Sequence, residues 1–192
     1  MIIERDRNET TGKYEDTDSA ADWDDYQIYV IGQSHFPYKT FSFNGTVTVF
    51  TSPDSSFREI ANAIQNANES LYVNVYLFHN LYLMDHLLDA ILNRSVSVKV
   101  LLEGDPVNGI DDTERYIAEQ IVNAGGEVRF MINDDDIHDR YKYDHAKYAI
   151  IDNRSTIVMS ENWKNTGVPV NTSFGNRGWG IIISMRQDVA AR

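Results

Sequence analysis

From residue 46 to residue 184 the chain alternates between two hydrophobic periods, and this alternation restricts it to a layered architecture. Thr46–Thr51, Leu71–Phe78, Val96–Leu102 and Val128–Ile132 are β-branched or aromatic runs of strand length. Between them, apolar residues fall at helical spacing: Phe57, Ile60, Ala61 and Ile64, then Leu83, Leu87, Leu88, Ile91 and Leu92, then Ile117 and Ile121. The third helix carries its own punctuation. Asp111-Asp112-Thr113-Glu114 resembles a capping box with Asp in place of Ser or Thr, and Gly125-Gly126 stops the helix. Tyr148–Ile151, Thr156–Met159 and Gly180–Ser184 are further apolar strands whose connections allow antiparallel members. The pattern predicts an α/β fold: a mixed, mainly parallel sheet flanked by helices on both faces.

One domain over residues 46–192 accounts for most of the chain. Residues 1–45 precede it as an acidic, flexible lead-in plus an added strand at Tyr26–Ile31, or as the remnant of a preceding domain. Charge follows the same division. Residues 1–25 hold nine acids against Arg5, Arg7 and Lys13, half of the net charge of −12. The quarter from residue 145 onward is locally basic. An acidic whole argues against a broad nucleic-acid-coating surface, while a basic quarter permits a compact anion site.

Some classes are excluded by residues the chain lacks. Without cysteine there is no disulfide framework, thiolate nucleophile or cysteine-ligated zinc. No apolar run is long enough to span a membrane, and the first residues lack the core of a signal peptide. Six Asn-x-Ser/Thr sequons, at Asn8, Asn44, Asn68, Asn93, Asn153 and Asn171, read either as an extracellular life or as an Asn- and Ser/Thr-rich composition, so the compartment stays open.

The chemistry concentrates in Asp144-His145-Ala146-Lys147-Tyr148-Ala149-Ile150-Ile151-Asp152, followed eight residues later by Ser160-Glu161-Asn162. On an extended strand, His145 and Lys147 share a face, and so do Ser160 and Asn162. If the two strands pair, an imidazole, an ammonium, a hydroxyl and an amide converge. That set suits a phosphodiester, whose oxygens need donors and whose phosphorus needs a nucleophile.

These residues resemble the His-x-Lys-x4-Asp motif of the phospholipase D superfamily, and Ser160-x-Asn162 stands where that family's Gly-Ser-x-Asn follows. The strand and helix order over about residues 46–185 fits as well. The resemblance implies a metal-independent phosphodiesterase, needing no cofactor, that works through a phosphohistidine in a site shared by two such motifs. His145 would be nucleophile or acid/base and Lys147 the phosphate clamp. Ser160, Asn162 and Asn176 would bind phosphate. Asp152, grouped with the catalytic residues, would balance charge or serve structure. Two departures stand out: Met159 replaces the usual Gly, and Gly178 in Asn176-Arg177-Gly178 replaces a Glu that often holds the histidine. The chain has a single motif, which implies a homodimer or a second phospholipase D-like half. The substrate is a nucleic acid or a phospholipid, with a nuclease preferred because dimerising single-motif members are often nucleases.

The alternative is a catalytically decayed module that binds phosphate-bearing ligands or partners. Asp134, Asp135, Asp136, His138 and Asp139 read as a solvated acidic loop rather than a cation site, and His86 as packing at a helix rim. Glu103, at a strand end, reads first as an ordinary loop acid and second as a residue that lines the site. His35 and His79 carry no partner signal. Ser160 lacks the Gly-x-Ser-x-Gly elbow of a serine hydrolase.

Overall fold

The computed structural model describes residues 38–132 and 143–185, together with the backbone of residues 4–5 and 23–24. Contacts divide the chain into two units, residues 1–38 with 134–142, and residues 39–133 with 143–192. In the first unit, β1 (Glu4–Arg5) pairs antiparallel with β2 (Trp23–Asp24). The expected strand Tyr26–Ile31 and the acidic loop Asp134–Asp139 lie outside the described residues, as does most of the lead-in.

The second unit is built on seven strands and three helices. In chain order these are β3 (Gly45–Ser52), α1 (Ser56–Gln65), β4 (Ser70–Val75), α2 (Leu81–Arg94), β5 (Ser97–Glu103), α3 (Asp112–Asn123), β6 (Glu127–Met131), β7 (Lys147–Ile151), β8 (Ser155–Met159) and β9 (Gly178–Met185). Strand order across the sheet is β3-β9-β8-β7-β4-β5-β6.

The sheet is mixed, as expected, and its parallel character needs qualification. Only β4–β5 and β5–β6 are parallel neighbours, while the other four pairings are antiparallel. The helices differ from the expectation of cover on both faces. Each β-helix-β crossover steps across the sheet in the same direction, from β3 to β4, β4 to β5 and β5 to β6. Right-handed crossovers then place all three helices on one face, where α1 packs on α2 and α2 on α3. Beneath them lie Leu71, Val73 and Val75 of β4, Val98, Val100 and Leu102 of β5, and Ala149 and Ile151 of β7, all buried. Ile60, Ile64, Leu83, Leu87, Ile117 and Ile121 close the core from the helix side. Among the described residues, no helix covers the opposite face.

Polar side chains fix the helix ends. Asn80 accepts from the Leu83 amide at 3.1 Å and caps α2, while its amide nitrogen reaches the Val168 carbonyl at 2.7 Å. Asp111 accepts from the Glu114 amide at 2.9 Å, the half of the capping box that was anticipated. The reciprocal half is absent, because the Glu114 side chain turns into the core and accepts from the Phe78 amide at 2.8 Å. Arg94, at the end of α2, donates to the carbonyls of Ala67 (2.6 Å) and Gln65 (3.0 Å) and so satisfies the C-terminal end of α1.

Asp152 secures the centre of the sheet. It sits in the β7–β8 turn, where both it and Asn153 have positive φ. Its carboxylate accepts from the amides of Asn68 (3.0 Å), Glu69 (2.7 Å) and Ser70 (2.9 Å), at the start of β4. Burial alone would raise its pKa, but the amides of Ser70, Glu69 and Asn68 outweigh that and hold the carboxyl below its usual range. Asp152→Ala is expected to cost about 2 kcal/mol of stability, because it orphans these donors. A depressed native pKa stabilises the fold above the unfolded value of about 3.9, and that stabilisation is lost as pH falls through the native value. Thermal unfolding of the wild type and variant across pH 2–6 should therefore show two curves that converge at the acid end.

Candidate phosphate site

The site lies where β4 and β5 end and β7 begins, since β7 runs antiparallel to β4 and starts with Lys147 opposite Val75. Carboxyl ends of parallel strands are where ligands gather in open α/β sheets. Just past β4, the Tyr76 amide donates to the Ala146 carbonyl at 3.0 Å, extending the ladder to the residue after His145.

His145 is exposed, and its ring lies against buried Tyr76 with centroids 4.7 Å apart. Tyr76 is fixed in turn, because its hydroxyl accepts from the Val107 amide at 2.8 Å. Lys147 is only 7% exposed. Its ammonium donates to the His145 carbonyl at 2.7 Å, stands 2.9 Å from His145 Nδ1 and lies 5.5 Å from the centre of the Tyr76 ring. Burial pushes the Lys147 pKa down, and the charges of Asp144 and Glu161 oppose that shift. The expected pairing of His145 with Lys147 is thus present.

Beside this pair sits a carboxylate arrangement of which the sequence offered only Glu103, and that as the second of two readings. Glu103, buried at the end of β5, accepts from the amides of Asp105 (2.9 Å) and Asp144 and so holds the residue that precedes His145. Asp144 is half-buried, and burial, reinforced by Glu103, raises its pKa despite the Ala146 amide and the Asn74 side chain. The sequence signal for both was weak: a single acid at a strand end and one before the motif.

Ser160, Asn162 and Asn176 form a second group. The Ser160 hydroxyl accepts from the Trp179 amide at 3.1 Å and lies 3.4 Å from Glu161 Oε1. Asn176 donates from Nδ2 to Glu161 Oε2 at 2.9 Å. Asn162 Oδ1 is buried and finds no partner among the described residues. Its neighbour Trp163 is locked beside the segment after β4, since its amide donates to Leu77 O at 3.1 Å and its carbonyl accepts from the His79 amide at 2.8 Å. Glu161, the residue between Ser160 and Asn162, links Ser160 to Asn176.

Asp152 is not brought to either group. It stands at the opposite end of β7 from His145, about 20 Å away at the rise of an extended chain. The structural part of its expected role fits its position, and a part in the chemistry does not. The two departures from the motif also acquire neighbours. Met159 is opposite Gly180, where an added Cβ would lie 2.9 Å from the Met159 Cβ. Gly178 faces Glu161, whose Oε1 would be 2.5 Å from a Cβ at 178.

Of the remaining histidines, His86 packs on Phe57 with ring centroids 5.9 Å apart, a rim position as expected. His79 Nε2 lies 3.4 Å from Asp111 and 3.9 Å from Glu114. His35 lies outside the described residues. Among the described residues, no group of three or more His, Asp and Glu converges as a metal site, and no helix is long and apolar enough to cross a membrane.

Comparison with known proteins gives the family and the fold. The family described as "cardiolipin synthase, PLD-like domain" matches residues 60–184. Among solved structures, the fold resembles the phospholipase D family member Nuc from Salmonella typhimurium, at 23% identity and a TM-score of 0.62, over 74% of this chain and 84% of that one. It also resembles NucT from Helicobacter pylori, at 16% identity and a TM-score of 0.56, over 72% and 85%. No curated protein matches the chain. The matched span takes in every strand of the seven-stranded sheet except β3, together with His145, Lys147, Ser160, Asn162 and Asn176, and the chain belongs to the phospholipase D superfamily.

Proposed function

We propose that this protein is a metal-independent phosphodiesterase whose active site is completed by a second motif, supplied by another copy of the chain or by another phospholipase D-like half. The observation that carries this reading is the rigid His145–Lys147 pair, clamped on Tyr76 at the carboxyl ends of β4 and β5. In the proposed reaction an imidazole nitrogen attacks phosphorus and the bond to the leaving oxygen breaks. A second imidazole, from the other motif, protonates that oxygen and then takes a proton from water. The water attacks the phosphohistidine and the P–N bond breaks. Lys147, Ser160, Asn162 and Asn176 neutralise or bind the phosphate oxygens. Between substrates, a nucleic acid is preferred to a phospholipid, because single-motif members of this family that dimerise are often nucleases.

The contact between Lys147 and His145 bears on which role the histidine takes. A neutral imidazole that accepts from the ammonium at Nδ1 carries its proton on Nε2, and that nitrogen then lacks the free lone pair that attack on phosphorus needs. Attack through Nε2 requires Lys147 to turn to the phosphate and release Nδ1. The same contact favours a second reading, a module that binds phosphate without turnover, because an ammonium occupies the place where a carboxylate would orient a nucleophilic ring.

Hydrolysis of a chromogenic phosphodiester in excess chelator separates these readings. Turnover that survives chelator and falls by roughly 10³-fold or more in His145→Ala supports the proposal. Loss of turnover in chelator, or an unchanged His145→Ala variant, overturns it. Inorganic phosphate binding without turnover, in a chain that light scattering shows to be dimeric, supports the second reading. Lys147 gives a pH signature. Its pKa lies below the ordinary lysine value, so its charge is lost earlier as pH rises, and KM should climb at a lower pH than an exposed lysine would give. Lys147→Arg keeps its charge and should carry that alkaline limb to higher pH.

A further inference from the structure

Gly178 needs an explanation that its backbone does not provide. Its φ is not in the left-handed region, unlike Gly109 and Gly125, so a side chain is not excluded by conformation. What stands in the way is the Glu161 side chain, which would have to move to admit one. A Cβ at 178 would collide with Glu161 Cγ and lie 2.5 Å from Oε1 and 2.8 Å from Cδ. Gly167 is set first by the Asn162 carbonyl, 2.5 Å from where its Cβ would be, and more loosely by Glu161, whose Cβ and Oε2 would be 3.1 and 3.3 Å away. Glu161 thus lies over Gly178, with Gly167 beside it.

The carboxylate so placed reaches the phosphate donors from two segments. Oε2 accepts from Asn176 Nδ2 at 2.9 Å, and Oε1 lies 3.4 Å from the Ser160 hydroxyl. Its charge is also felt at Lys147, where it opposes the effect of burial. We propose that Glu161 is a positioning residue of the phosphate site, orienting Asn176 and Ser160 from the space left open by Gly178. This rests on the phosphodiesterase reading for its catalytic consequence, while the placement of Asn176 and Ser160 against Glu161 stands on the geometry.

Three variants test it: Glu161→Gln, Gly178→Ala, and the exchange Glu161→Gly with Gly178→Glu. The Asn176 side-chain amide and the titration of the Lys147 side chain are followed by NMR, thermal unfolding checks that each variant folds, and kcat/KM is measured on the chromogenic diester. Glu161→Gln preserves shape and removes charge, so Lys147 should titrate at lower pH, with the alkaline limb of activity moving the same way. A mispositioned donor pair should lower kcat/KM by roughly 10-fold. Gly178→Ala leaves Glu161 in the sequence but displaces its carboxylate, and should shift the same two readouts. The exchange returns a carboxylate to the same space and should restore the Lys147 titration at least in part. Asn176 side-chain amide resonances and a kcat/KM that are both unchanged in folded Glu161→Gln and Gly178→Ala overturn the proposal. Because the amide resonances need no turnover, a wild-type protein that hydrolyses nothing would count against the phosphodiesterase reading and leave this test intact.

Discussion

The grip of the Asp152 carboxylate on three successive amides, those of Asn68, Glu69 and Ser70, sets the geometry on which the rest depends. Strand β7 runs against β4 with its apolar face buried, and slipping it by one residue would turn every side chain to the other face. Asp152 fixes one end of that pairing, with Leu71 opposite Ile151, and the register then delivers Lys147 opposite Val75 at the other end. A residue about 20 Å from the chemistry therefore decides where the imidazole and ammonium emerge. The spacing of four residues between Lys147 and Asp152 in the motif is a strand length written into the sequence, rather than a set of groups that meet.

At the working end of β7 the charges are ordered by burial. Lys147 is nearly enclosed, and its solvent has been replaced by a tyrosine face, a histidine carbonyl and a ring nitrogen. An ammonium held this way gains more from an incoming phosphate than a hydrated surface lysine does, because less water has to be displaced. The acids nearby are placed at a remove: Glu103 is occupied by backbone amides, and Asp144 is shifted toward its neutral form. An overall charge of −12 is thus compatible with an anion site, since local geometry outweighs net charge at contact distance.

Much of the fold was legible in the sequence, because periodicity reports which residues are buried. Each strand and helix expected between residues 46 and 184 is present, with ends displaced by a few residues, and His145 and Lys147 meet as alternation on a strand requires. What was not legible depended on choices that periodicity does not encode. The amphipathic stripe of a helix says that it packs, and not on which face of the sheet. The single-face arrangement follows from strand order, which only tertiary pairing reveals. Glu114 is a good capping-box residue by sequence and is taken instead by the Phe78 amide, a donor 36 residues away. Glu103 and Glu161 look like ordinary acids because each acts through backbone or amide groups brought from distant segments.

The same distinction changes the meaning of the motif's irregularities. Taken singly, Met159 for Gly and Gly178 for Glu suggest a pattern wearing away. In the structure both positions acquire partners. Met159 stands opposite Gly180, where the Phe50 ring comes closest to the missing Cβ, and two residues further along Glu161 lies over Gly178. An unfilled loss would leave a void or an orphaned donor at such positions, at a cost of about a kcal/mol or more each. Here the space at Gly180 is filled by Phe50 and Met159, and the space at Gly178 by the Glu161 side chain, which accepts from Asn176. Both positions are packed rather than hollow, so these two departures leave the local structure intact.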